Sequence, residues 1–100
     1  MAKKLHPVHP GEVLTEDFLR PMNLTPYTVA AKVGVPRTRI ERLAHQQTAM
    51  TADTALRLGR FFGVSAAFWM NIQTRYDLER AEDGAASALA HIAPYHYEAA

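Results

Sequence analysis

The chain has 100 residues, 48% of them apolar, a formal net charge of +1 and no cysteine. That length suits one small domain with a single modest core. The missing thiols exclude disulfides, thiolate zinc sites and cysteine nucleophiles. No apolar run approaches the roughly 20 residues needed to cross a bilayer. Residues 1–10 carry Lys3 and Lys4 but no apolar h-region, so they do not read as a secretory signal, and the expected location is the cytoplasm.

The small net charge hides an asymmetry. Residues 32–60 carry Lys32, Arg37, Arg39, Arg42, Arg57 and Arg60 against Glu41 and Asp53, a net +4. Residues 61–100 carry Arg75 and Arg80 against Asp77, Glu79, Glu82, Asp83 and Glu98, a net −3. A basic middle and an acidic end point to two faces with different partners. Solvated helix surfaces would give the same pattern, so the charge alone decides nothing.

Residues 1–9 read as a flexible arm. A first helix is expected from Pro10, since proline suits the first helical turn, with Val13, Leu14, Phe18 and Leu19 recurring at helical spacing until Pro21 ends it. Thr25-Pro26 starts a second helix, stopped by Gly34. Pro36 restarts a third, which turns Ile40 and Leu43 inward and ends near His45. Thr51 caps a fourth, with Ala55, Leu56, Leu58, Phe61 and Phe62 on its apolar side and Gly63 as its stop. Ser65 caps a fifth over 66–82, with Phe68, Trp69, Ile72, Tyr76 and Leu78 as its stripe. Asp83-Gly84 is expected to break that helix. Residues 84–100 form an alanine-rich tail with room for another turn or two of helix before Pro94. The expected architecture is all-α: a five-helix bundle over 10–83 that contains a helix-turn-helix.

The informative stretch is 26–44. A helix-turn-helix needs a small residue where its two helices cross, a turn residue that tolerates positive φ, and apolar residues facing back from the second helix. Ala30, Gly34, Ile40 and Leu43 supply these at the required spacing. With Ile40 and Leu43 inward, the 3.6-residue period turns Arg37, Thr38, Glu41 and Arg42 outward, with Arg39 on the flank. Arginine can clasp guanine O6 and N7, and threonine can meet a thymine methyl, so Arg37, Thr38 and Arg42 are the base-reading candidates. Arg39, Thr48 and Thr51 are candidates for phosphate contact, helped by the N–H groups that open the fourth helix.

Three stretches give the chain a family resemblance: His9-Pro10-Gly11-Glu12-Val13-Leu14, the helix-turn-helix ending in Ile40-Glu41-Arg42-Leu43, and Phe68-Trp69-Met70-Asn71-Ile72-Gln73 followed by Tyr76-Asp77-Leu78. In these the chain resembles the HigA antitoxins within the Xre/Cro-like helix-turn-helix superfamily. Pro36 departs from the pattern, where a capping residue such as serine is expected. The resemblance implies a homodimer on palindromic double-stranded operator DNA at its own promoter. It also implies tight binding to a HigB-type toxin, an mRNA endonuclease. Dimerisation has independent support. One recognition helix reads only a few base pairs, so specific affinity usually needs two half-sites about 34 Å apart. The fifth helix is the expected interface, with Tyr76, Glu79 and Glu82 as candidate dimer or partner contacts. Trp69 reads as core.

An enzyme is the weakest reading. His6 and His9 are separated by proline, His91 and His96 straddle Pro94, and no acidic or thiol partner completes a metal site. Glu16 and Asp17 are adjacent and so point to different helix faces. There is no glycine-rich phosphate loop and no serine-nucleophile context, so no cofactor is expected. The stronger alternative is a free-standing Cro-like regulator with no toxin partner.

Overall fold

A computed structural model describes residues 6–96. Among them, five helices, the first of them part π-helical, and no strand are found. α1 covers Pro10–Val13 and runs straight into a π-helical segment, Leu14–Leu19. The others are α2 (Pro26–Val33), α3 (Arg37–Ala44), α4 (Ala52–Phe62) and α5 (Ala66–Ala90). No described helix is long and apolar enough to cross a membrane.

The starts and stops follow from local chemistry. Thr25, Thr51 and Ser65 each accept a hydrogen bond from the backbone N–H three residues on, satisfying one orphan donor of α2, α4 and α5. Gly34 ends α2 at φ +76°, where a side chain would be strained. α3 differs from the other helices. Pro36 sits at its N-cap in extended conformation with no side-chain bond, so that helix begins at Arg37, without a hydroxyl cap.

The first helix is not uniformly α-helical as expected. The Arg20 N–H bonds the Thr15 carbonyl at 3.0 Å, five residues back, and the Leu24 N–H bonds that of Leu19 at 2.9 Å. This wider winding places Leu14 and Leu19 on one face, and both are buried. The core joins them to Val29, Ala30, Ile40, Leu43, Met50, Ala55, Leu58 and Trp69. Phe18 lies across Trp69 and Phe62, with ring centroids 5.0 and 4.8 Å away.

Three expectations need correction. Asp83-Gly84 does not break α5, which continues to Ala90. A mid-helix glycine costs only about 1 kcal/mol relative to alanine, and Ala81, Ala85, Ala86 and Ala88 are the strongest helix formers available. Leu78 does not belong to the buried stripe of α5: it is 57% exposed. On α4, Leu56 is 63% exposed and Phe61 also reaches solvent, while Thr54 and Gly59 take the inward positions.

The arm expected over 1–9 meets the described residues only at 6–9, and residues 1–5 lie outside them. His9 is buried and belongs to the folded unit. Its Nδ1 accepts the Gly11 N–H at 2.8 Å, capping α1. A Cβ on Gly11 would overlap the Leu43 carbonyl oxygen, so α1 crosses the end of α3 at a distance only glycine permits.

Candidate nucleic-acid interface

α2 and α3 pack through Ala30, Ile40 and Leu43, all essentially inaccessible to solvent. The Gly34 turn between them is held from outside. Arg57 on α4 donates to the Val33 carbonyl at 2.7 Å and to the Gly34 carbonyl at 3.4 Å, satisfying acceptors at the end of α2. With its core side anchored, α3 presents Arg37, Thr38, Arg39 and Arg42 to solvent.

Thr38, Arg39 and Arg42 line one wall of an open groove of about 560 Å³, and Thr48, Ala49, Thr51 and Asp53 form the other. Five of the six DNA-contact candidates therefore share one surface. Arg37 is the exception: it lies outside the groove and pairs with Glu41 at 3.6 Å, one helical turn on. Arg42 has no ion-pair partner among the described residues and is exposed. Arg39 is already engaged, at 2.6 Å from Asp53. The Thr51 hydroxyl oxygen accepts from the Thr54 N–H, which leaves the Ala52 and Asp53 N–H groups of the first turn of α4 without an intrahelical acceptor.

Asp53 and Arg57 are neighbours of the site that sequence reasoning missed. The Asp53 carboxylate sits between Arg39 and Arg57, the latter 3.0 Å away. Its pKa is held below the ordinary carboxylate value, first by the hydrogen bond from Arg39, against an opposing effect of desolvation, and further by Arg57. The i,i+4 spacing of Asp53 and Arg57 was a readable signal. The Arg39–Asp53 contact spans 14 residues and left none.

The segment leading into α4 is also tied down from behind. Met50 is buried, and its N–H donates to Gln73 Oε1 at 2.6 Å. Gln73 Nε2 in turn donates to Asp77 at 2.8 Å. Burial pushes the His9 pKa down, opposed by a hydrogen bond with the Thr48 backbone and by the carboxylates of Asp77 and Glu12. His9 thus stays neutral to lower pH in the folded protein than in the unfolded chain, which takes up a proton near pH 6.5. Its contribution to stability is complete above about pH 6.5 and declines as the pH falls below it. Melting temperatures measured from pH 7.5 to 5.5 should therefore fall for the wild type and fall less for His9→Asn.

The interface candidates on α5 are scattered. Tyr76 is half-buried, edge-on to His9 at 4.8 Å, and its hydroxyl accepts from Arg80 at 2.9 Å. Glu79 pairs with Arg75 at 3.5 Å, and Glu82 is exposed.

A helix-turn-helix with a basic, solvent-facing second helix and a groove beside it defines a DNA-binding protein of the repressor type. No family model matches the chain, but individual proteins do. Virulence-associated protein I of Dichelobacter nodosus is 48% identical over 75 residues, 75% of this chain and 69% of that protein. Antitoxin HigA-1 of Vibrio cholerae is 37% identical over 75 residues, 75% of this chain and 70% of its own. Among solved structures, the Pseudomonas aeruginosa antitoxin HigA with higBA promoter matches with a TM-score of 0.87 at 35% identity, over 91% of this chain and all of that one. The chain belongs to the HigA antitoxin family of helix-turn-helix proteins.

Proposed function

We propose that this protein represses its own promoter as a homodimer and neutralises a HigB-type mRNA endonuclease. The observation that carries the reading is the groove between α3 and the start of α4. It gathers Thr38, Arg39, Arg42, Thr48 and Thr51 on one exposed wall pair. The similar Pseudomonas aeruginosa protein was solved with higBA promoter, and the antitoxin GraA, 28% identical with a TM-score of 0.85, in complex with its operator. In this chain Arg42 and Thr38 read bases from the groove and Arg37 reads from its outer flank after leaving Glu41. Arg39, Thr48, Thr51 and the first N–H groups of α4 take the phosphates.

The dimer seam is the free half of α5. Leu78, Ala85 and Leu89, with Ile92 just past the helix end, recur seven, four and three residues apart, and Leu78, Leu89 and Ile92 are at least half exposed. Tyr76 flanks the seam. Glu79, Glu82 and Asp83 present the acidic surface that suits a basic toxin.

The experiment is a salt titration of binding to the DNA upstream of its own gene, against random duplex. Affinity for the upstream DNA is expected to exceed that for random duplex by at least about a thousandfold. Equal, weak binding to both would refute the repressor reading.

A further inference from the structure

Phosphate contacts are only as good as the placement of the groups that make them, and that placement depends on the residues behind them. Segment 45–51 is irregular, with Gln46 at φ +62° and residues 45–49 exposed. Two buried polar side chains from distant parts of the chain meet it: Gln73 accepts the Met50 N–H, and His9 stands beside the Thr48 backbone. Both are nearly inaccessible to solvent. A buried amide or imidazole is costly unless it is paired. An apolar residue would pack α5 against the core without that cost. What the amide adds is a fixed position for the Met50 N–H, two residues before α4 begins.

We infer that His9 and Gln73 are positioning residues for DNA binding: they hold segment 48–51 in register with the recognition helix, so that its phosphate contacts and the base contacts of α3 are made together. The inference rests on the proposed phosphate role of that segment. His9 does this through one ring: Nδ1 takes the Gly11 N–H, and Nε2 is left to face the Thr48 backbone. The edge of Tyr76 fixes the ring's tilt. Gln73 is oriented by Asp77, which accepts its amide N–H and so leaves Oε1 facing Met50.

The test uses the full chain, a duplex of the sequence upstream of its gene and a random duplex, at a temperature where circular dichroism shows each variant folded. Gln73→Met keeps the volume and removes the acceptor. It should weaken binding to both duplexes about tenfold and lower the salt dependence by about one phosphate contact. Gln73→Glu combined with Asp77→Asn reverses the polarity of the pair: the carboxylate accepts from the Met50 N–H and from the new amide. It should bring affinity back to within about threefold of wild type, which a role in packing alone would not do. His9→Asn keeps a cap for α1 but is too short to reach Thr48, and should weaken both duplexes about fivefold. It serves as the second probe if Gln73→Met does not fold. Thr48→Glu tests the underlying phosphate reading, since a carboxylate there must repel the backbone. Unchanged binding by Thr48→Glu overturns both readings. Weakened binding by Thr48→Glu, alongside wild-type affinity and salt slope for Gln73→Met and His9→Asn, overturns the positioning role alone. The same holds if the polarity-reversed pair stays as weak as Gln73→Met.

Discussion

Trp69→Ala should cost about 3–5 kcal/mol of folding stability, most of what a domain of this size possesses. The indole is fully buried and is the largest side chain in the core. It touches Phe18 at 5.0 Å and Phe68 at 5.0 Å between ring centroids, so its removal opens a cavity where α5 meets the π-helical segment. Trp69→Phe should behave differently. The indole N–H is buried with no hydrogen-bond partner among the described residues, so phenylalanine removes a desolvated donor along with some packing. The two effects oppose, and the net loss should be about 1 kcal/mol. Urea unfolding of both variants checks this. A Trp69→Phe loss as large as that of Trp69→Ala would mean that the indole N–H finds a partner in solution.

Arg42→Ala should lower affinity for the upstream DNA by about 1–3 kcal/mol and relax discrimination at one base pair, with little effect on random duplex. Arg42 is exposed on the groove and no acidic group holds it among the described residues. Arg37 must first leave Glu41, so Arg37→Ala should cost less. Arg39→Ala should weaken specific and random binding alike and flatten the salt dependence. Part of that loss comes from the Asp53 carboxylate, freed of one of its two arginines beside the phosphate track. Competition titrations on point-substituted duplexes separate the three. Identical behaviour would refute the division into base and phosphate contacts.

The helix-turn-helix was legible because its constraints are local. A small residue at Ala30, a left-handed turn at Gly34 and apolar residues at Ile40 and Leu43 are demands of geometry within 14 residues. Caps at Thr25, Thr51 and Ser65 were legible for the same reason. What was misread depends on the neighbours an element finds. Leu56 and Leu78 fit apolar stripes by spacing, but both stay more than half exposed. Gly84 looks like a breaker, yet alanine on both sides carries the helix through it. His9 reads as part of an arm because its buried state is created by Thr48 and Tyr76, 39 and 67 residues away. Arg39 reads as a free cation because Asp53 reaches it only after folding.

α5 is one helix by its dihedral angles but two by what supports it. Up to Tyr76 its amide hydrogens are shielded by the core, and exchange with solvent there requires opening the whole domain. Beyond that residue most side chains of α5 among the described residues are exposed, and a stretch of some 14 residues is marginal in water by itself. Deuterium uptake should therefore be slow over 66–76 and fast over 80–90 in the unbound protomer. Any molecule that captures the second stretch must also stop its fraying. Its apparent affinity then includes the free energy of completing a helix, and slowed exchange over 80–90 would map its footprint without a crystal of the complex.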